Sequence, residues 1–106
     1  MDKLVYKATL ADRNYYVVSR TLGELEWYSG YLSVKEEEKI NDPEVTFIGM
    51  AKEVIPSYEI DPEEKLIGID TADPANNDTT LGDVVNELAT IARQIDETNT
   101  ERDEEQ

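Results

Sequence analysis

The chain has 106 residues, no cysteine and no histidine, and its formal net charge is −15 at pH 7. This length supports one modest hydrophobic core and therefore one domain. The composition excludes disulfide bonds, thiolate metal ligands and the catalytic arrangements that use histidine or cysteine, so we expect a protein that is not an enzyme.

The first part of the chain predicts strands. Residues 4–10 alternate between apolar and polar side chains, which is typical of a strand with one buried face. Residues 15–19 are rich in aromatic and β-branched side chains, and the polar residues 11–14 before them predict a hairpin. After a turn at residues 21–24, residues 25–34 predict a longer third strand.

The middle of the chain is more broken. Residues 35–39 are highly charged and predict a solvated turn or a short helical stub. Residues 45–48 predict a strand that is interrupted at Gly49, and the following residues can continue it as far as Pro56. Residues 66–70 are almost continuously apolar, which is typical of a central strand buried on both faces.

The last element is an amphipathic helix. Its apolar residues recur at spacings of three and four: Leu81, Val84, Val85, Leu88, Ile91, Ala92 and Ile95. Thr80 can cap the first turn, and Asp83 can reach back to the cap and face the positive end of the helix dipole. Residues 98–106 include four acidic residues and no apolar residue, and they predict a flexible acidic tail.

Strands first and one well-defined helix last predict an α+β fold. We expect a single domain over residues 1–97, with a four- to six-stranded, mainly antiparallel sheet and the C-terminal amphipathic helix packed on one face. No apolar run is long enough to span a bilayer, and the first residues lack the apolar stretch of a signal peptide. We therefore expect a cytoplasmic protein that does not bind membranes.

One acidic loop resembles a cation site only superficially. It contains Asp70, Asp73, Asn77 and Asp78, whose oxygen atoms are suitable ligands for Ca²⁺ or Mg²⁺. The glycine and the glutamate of an EF-hand loop are missing, and turn formation and helix capping account for these residues better. We therefore predict no metal ion and no cofactor.

The charge is distributed unevenly along the chain. Up to Lys35 there are four acidic and five basic residues, whereas from Glu36 onward there are twenty-one acidic and five basic residues. Binding of nucleic acid depends on cationic groups, so we expect no direct contact of the acidic part with nucleic acid. The basic residues and tyrosines of the first strands could stack on single-stranded bases, but core and edge positions of a sheet explain them more simply.

The charge of the acidic part favours a protein with a basic surface as partner. Nine carboxylates are candidates for an acidic binding face: Glu36, Glu37, Glu38, Glu59, Asp61, Glu63, Glu64, Asp83 and Glu87. If they gather on one face, they can imitate the phosphates of DNA, whereas an even scatter would indicate that the acidity serves solubility.

Three short motifs carry a resemblance. They are Trp27-Tyr28-Ser29-Gly30-Tyr31, Glu44-Val45-Thr46-Phe47 and Ile67-Gly68-Ile69-Asp70-Thr71-Ala72, followed by the amphipathic helix. In this order they resemble a group of small uncharacterised proteins of tailed phages and prophages of Gram-positive bacteria, over roughly residues 19–95. Such proteins often carry histidines beside the second and third motifs, and this chain has none.

The resemblance implies a context in a host cell, where phages encode small acidic proteins that disable defence enzymes. We therefore predict a non-enzymatic phage or prophage protein that binds a host protein, with DNA mimicry against a restriction or CRISPR nuclease as its specific form. The alternative is a small phage accessory or structural protein that self-associates, as a homodimer for example, and whose acidity serves only solubility.

Overall fold

The computed structural model describes residues 2–40, 42–57, 59–70 and 79–104, and of residues 100–104 it describes the backbone. The elements of this part of the chain follow in the order β1 (Lys3–Leu10), β2 (Arg13–Leu22), β3 (Leu25–Ser33), β4 (Phe47–Met50), β5 (Lys65–Asp70) and α1 (Leu81–Glu104). A 3₁₀ turn, Ala51–Glu53, lies directly after β4.

The strands form one five-stranded sheet in the order β1-β2-β3-β5-β4. Every neighbouring pair is antiparallel, and α1 packs against β2 and β3. The predicted α+β class, the antiparallel sheet and the C-terminal helix on one face are therefore confirmed. The strand at the centre of the sheet is β3, whereas the sequence pattern predicts a central position for β5, which lies next to it.

Tight turns join the first three strands. Ala11 and Asp12 have φ angles of 50° and 67°, and both residues lie between the paired ends of β1 and β2. Positive φ at both central residues is the geometry of a type I′ turn, whose twist matches that of the strands it joins. Gly23 has a φ of 63° at the first position of the turn between β2 and β3, where a glycine is favoured.

The helix covers one face of the sheet. Five helix side chains are buried there: Val84, Leu88, Ile91, Ala92 and Ile95. They pack with residues of three strands: Tyr15 and Val17 of β2, Leu32 of β3, and Ile67 and Ile69 of β5. Each fully buried aliphatic side chain stabilises the fold by about 1.5–3 kcal/mol, so the helix contributes most through this stripe.

Residues 51–57 and 59–64, which we call the cover segment, lie over the opposite face. Ala51, Ile55 and Ile60 are buried against a second core, formed by Tyr16, Val18, Tyr31 and Leu66. The backbone N–H groups of Ala51 and Lys52 donate to the carbonyls of Glu64 and Pro62, which closes the segment on itself. Strand β5 is therefore buried on both faces as predicted, but the chain after β4 turns into this cover instead of extending the strand.

The helix is longer than its apolar stripe. It ends at Glu104, although the last of the buried side chains above is Ile95. Asn99 holds this end in place, because its side chain accepts a hydrogen bond from Lys39 N at 3.2 Å and donates one to Ile95 O at 2.8 Å. Residues 98–104 of the predicted tail therefore belong to α1. The flexibility of residues 98–106 stays a prediction.

Gly30 of β3 allows the helix to approach the sheet closely. A Cβ atom at this position would lie 2.7 Å from Val84 Cγ1 and 3.1 Å from Leu88 Cδ1. We expect Gly30→Ala to lower the free energy of unfolding by about 1–3 kcal/mol, because the helix must shift outward to accept the methyl group. Urea unfolding followed by circular dichroism measures this change.

Gly82→Ala is the matched control for this prediction. The nearest atom to its new Cβ would be Thr80 Oγ1 at 3.8 Å, and alanine favours the helical backbone. The control variant should be as stable as the parent or more stable. Equal stability of Gly30→Ala and the parent would show that the helix does not depend on close contact at this position.

Candidate functional site

The nine carboxylates predicted to form one acidic face lie on two sides of the sheet. Asp83 and Glu87 belong to α1, which covers one face, and four others belong to the cover segment on the opposite face: Glu59, Asp61, Glu63 and Glu64. Residues 36–38 lie in the connection after β3, where Glu38 binds Arg13 of β2, and Arg13 in turn binds Asp96 of the helix. The structure therefore brings together subsets of the nine, and the sheet separates the helix subset from the cover subset.

The cover segment presents exposed carboxylates. Glu59, Asp61 and Glu63 all face solvent. The side chain of Asp61 accepts a hydrogen bond from Glu63 N at 2.9 Å, and Glu64 N donates to Asp61 O at 3.2 Å, so a turn fixes this part of the backbone. The ammonium of Lys52 lies 3.2 Å from a carboxylate oxygen of Glu63, but both side chains are more than half exposed and the pair contributes little stability.

Glu64 faces inward from the same segment. Its two carboxylate oxygens accept hydrogen bonds from the Tyr16 hydroxyl at 2.7 Å and from Asn14 Nδ2 at 2.9 Å. Burial and this hydrogen bond to Glu64 together raise the pKa of Tyr16. Glu64 therefore ties the cover segment to β2, and its carboxylate is already occupied by internal donors.

Glu38 is also an internal residue, in contrast to the exposed position that the sequence pattern indicates. Its side chain is 9% exposed and forms a bidentate ion pair with Arg13, one of whose bonds is 2.8 Å long. It also accepts a hydrogen bond from Lys35 N at 2.8 Å, which closes the turn on itself. Of the three glutamates in this turn, only Glu36 and Glu37 are exposed.

Asp83 caps the helix as predicted. It accepts a hydrogen bond from Thr80 N at 3.0 Å, while Asp83 N donates to Thr80 Oγ1 at 3.2 Å. This reciprocal pair is a capping box. Glu87, one turn further on, is exposed. Of the nine candidate carboxylates, the helix therefore contributes Asp83, which stabilises the start of the helix, and Glu87, which faces solvent.

Arg13 is the residue of this region that sequence reasoning missed. Its guanidinium donates to Ser33 O at 3.1 Å and to Asp96 Oδ1 at 2.6 Å, in addition to Glu38. The hydrogen bond to Glu38 and the contacts with Asp96 raise the pKa of Arg13 despite its burial. The alternation of side chains along β2 could have indicated this role. Arg13 is two residues before Tyr15 and four before Val17, so its side chain points to the same face of the sheet, the one that the helix covers.

Arg20 is engaged on the opposite face. It donates to Asp2 Oδ2 at 2.7 Å, to Ser29 Oγ at 2.8 Å and to Val54 O at 3.1 Å, and it also contacts the Tyr31 hydroxyl. The two arginines of the first strands therefore serve internal contacts. This occupation weakens the alternative in which these strands bind single-stranded bases, since neither guanidinium is available for a phosphate.

A cleft of about 280 Å³ lies between the helix and the connection before β4. It is lined by Lys39, Asp42, Pro43, Gln94, Ile95, Glu97 and Thr98. Of these, only Ile95 is buried. Binding sites for small molecules position their ligands with convergent polar groups in an apolar cavity, and this cleft lacks that combination.

Within the described ranges, no group of three or more acidic side chains is placed to hold a metal ion. The predicted acidic loop falls mainly on residues 71–78, which lie outside those ranges.

Among the described residues, no helix combines the length and the apolarity needed to cross a bilayer. Comparison of the chain with protein-family models, with curated proteins and with solved structures finds no match.

The overall density of charge is low compared with DNA. The accessible surface is 7001 Å² for a net charge of −15, which is about 470 Å² per net charge. Duplex DNA presents about one charge per 100 Å² of its surface. The carboxylates therefore resemble phosphates only where they cluster locally.

The buried ion pair of Arg13 and Glu38 leads to a prediction about stability and pH. The hydrogen bond from Arg13 lowers the pKa of Glu38 below its usual 4.5, although burial opposes this effect. The pair therefore stabilises the fold fully above about pH 4.5 and loses this contribution as pH falls through the lowered pKa. Arg13→Met leaves Glu38 buried without its partner and should cost about 3–5 kcal/mol at pH 7.

Urea unfolding of the parent and of Arg13→Met at pH 7, 5.5 and 4 tests this prediction. The difference between them should become smaller towards pH 4, because protonation of Glu38 removes the unpaired charge from the variant. Asp96→Asn is the control, since the Asp96 side chain is 55% exposed and its loss should have a small effect. A difference that does not change with pH would contradict a role for the charge of Glu38.

Proposed function

We propose that this chain is a non-enzymatic acidic protein of a phage or prophage, and that it binds a basic surface of a host protein in the cytoplasm through the cover segment. The observation that supports this proposal is a series of carboxylates with no cation between them in the sequence. Residues 53–64 contain five carboxylates and no lysine or arginine. Since Ile55 and Ile60 of the same segment are buried, the second core holds this stretch against the sheet.

The other candidate carboxylates support binding less well. Lys35 and Lys39 flank Glu36 and Glu37 in the sequence and reduce the local negative charge. Asp83 is occupied in capping the helix. The cover segment therefore combines exposed carboxylates with a fixed backbone and has five carboxylates against one lysine, Lys52, which favours an electrostatically complementary partner.

DNA mimicry against a defence nuclease is the specific form of this proposal. The separation of the carboxylates by the sheet favours recognition of a local basic patch over imitation of a long stretch of duplex. A nuclease that binds a few neighbouring phosphates of DNA through one basic patch would be complementary to the carboxylates of the cover segment. Competition with duplex DNA distinguishes such a partner from other basic proteins.

The experiment uses the full chain, immobilised and exposed to a lysate of a Gram-positive bacterium, with elution by a gradient of salt. Three variants each remove two negative charges: Glu59→Gln/Glu63→Gln, Glu36→Gln/Glu37→Gln and Glu87→Gln/Glu97→Gln. We expect the parent to retain a basic protein that high salt and duplex DNA release. The first variant should release it at lower salt, and the two matched controls should behave as the parent does.

Equal loss of retention in all three variants would indicate a general effect of charge and would contradict a site on the cover segment. Retention that duplex DNA does not affect would support binding of a host protein without DNA mimicry. A lysate from which nothing basic is retained would contradict the proposed function as a whole.

A self-associating accessory protein is the second candidate, because the edge strand β4 exposes two apolar side chains. Ile48 is 59% exposed and Met50 is 41% exposed. Pairing of two β4 strands would cover the side chains of Ile48 and Met50. Repulsion between two chains that each have a net charge of −15 would oppose this pairing.

Sedimentation velocity at 50 mM and at 1 M salt separates the two candidates. Self-association should become stronger at high salt, which screens the repulsion, and Ile48→Ser/Met50→Ser should abolish it. Binding of a basic partner should become weaker at high salt. A monomer at both salt concentrations would contradict the second candidate.

A further inference from the structure

Among the described residues, the hairpin formed by β2 and β3 extends beyond the other strands of the sheet. The pairing of β1 with β2 ends at Ser19, and the pairing of β5 with β3 ends at Ser29. Beyond these points the strand pairing that the described residues show is that of β2 with β3, from Arg20 and Trp27 as far as Leu22 and Leu25 at the turn. We call this two-stranded part, residues 20–28, the ribbon.

The tip of the ribbon carries an exposed apolar pair. Leu22 and Leu25 face each other across the turn and are 69% and 51% exposed. By strand alternation they share a face with Trp27, whose indole N–H is buried and has no acceptor among the described residues. Among the described residues, neither leucine belongs to the two cores of the fold.

Cross-strand pairing of two leucines stabilises a hairpin, but only modestly, since such pairs contribute about 0.2–1 kcal/mol. A pair of threonines would serve the same purpose without exposing two wholly apolar side chains at the end of the hairpin. A contact with another molecule accounts for the exposure as well as for the pairing.

The charges around the tip indicate what that molecule is. Glu24 and Glu26 are exposed beside the leucines, and residues 21–26 contain no lysine or arginine. The nearest cation along β2, Arg20, is paired with Asp2 at 2.7 Å. A second copy of this acidic chain would be repelled, whereas an apolar pocket bordered by lysine or arginine would be complementary to the leucines in polarity and to the glutamates in charge.

We propose that Leu22 and Leu25 insert into an apolar pocket with a basic rim on the partner protein. This inference rests on the proposed function, because it assigns a second point of contact to the same basic partner. The cover segment provides the electrostatic contact, and the ribbon provides the apolar anchor at a different place on the molecule.

Photocrosslinking in bacterial cells tests the anchor. The full chain is expressed with p-benzoylphenylalanine in place of Leu22, or in place of Ile48 or Glu63 as comparison positions, and the crosslinked peptides are identified by mass spectrometry. All three positions are exposed, so the substitutions leave both cores intact. We expect position 22 to crosslink to one partner protein, in a peptide that combines apolar residues with lysine or arginine.

A second variant tests the charge argument. Glu24→Lys/Glu26→Lys, combined with the crosslinker at position 22, should lower the crosslink yield about tenfold, because its lysines would meet the basic rim. An unchanged yield would overturn the assignment of a basic rim. Urea unfolding of this variant shows whether the ribbon still folds as it does in the parent.

The remaining outcomes separate the anchor from the proposed function. Crosslinks at position 63 without crosslinks at position 22 would overturn the anchor and leave the proposed function standing. Crosslinks at position 22 to another copy of this chain, or equal crosslinking at position 48 to the same peptides, would also overturn the anchor. Crosslinks at none of the three positions would contradict both proposals.

Discussion

The buried guanidinium of Arg13 is the interaction on which much of the structure depends. It contacts the end of β3 through Ser33, the following turn through Glu38, and the helix through Asp96. A buried charge without partners would be very unfavourable, so these three parts of the chain must be in place together. These three contacts of Arg13 thereby fix the position of the connection after β3 and the position of the helix along the sheet.

The elements that the sequence predicts well are those specified by neighbours along the chain. The spacing of Val84, Leu88 and Ile91 defines the buried stripe of the helix, and the capping box follows from Thr80 and Asp83 three residues apart. The antiparallel pairing of β1 with β2 follows from two β-prone segments around a short break. In each case the physical cause acts within a few residues.

The elements that the sequence does not predict depend on contacts between distant residues. Nothing near Glu38 indicates that Arg13, 25 positions earlier, will remove it from the surface. The hydrogen bonds that turn Glu64 inward come from β2, 48 and 50 positions away. The acidic pattern therefore identified a set of candidate carboxylates, but only the fold shows which of them are occupied internally and on which side of the sheet each one lies.

The strand order has a consequence for the kinetics of folding. The meander of β1, β2 and β3 needs only local turns, whereas β5 must enter between β3 and β4 after more than 30 intervening residues. Closing this loop costs conformational entropy before its contacts form, so we expect the meander to assemble first and the acidic second part to join it in a slower step. Because the first part carries Arg13 and Arg20, attraction between the two parts of one chain should accelerate that step, and salt should slow it.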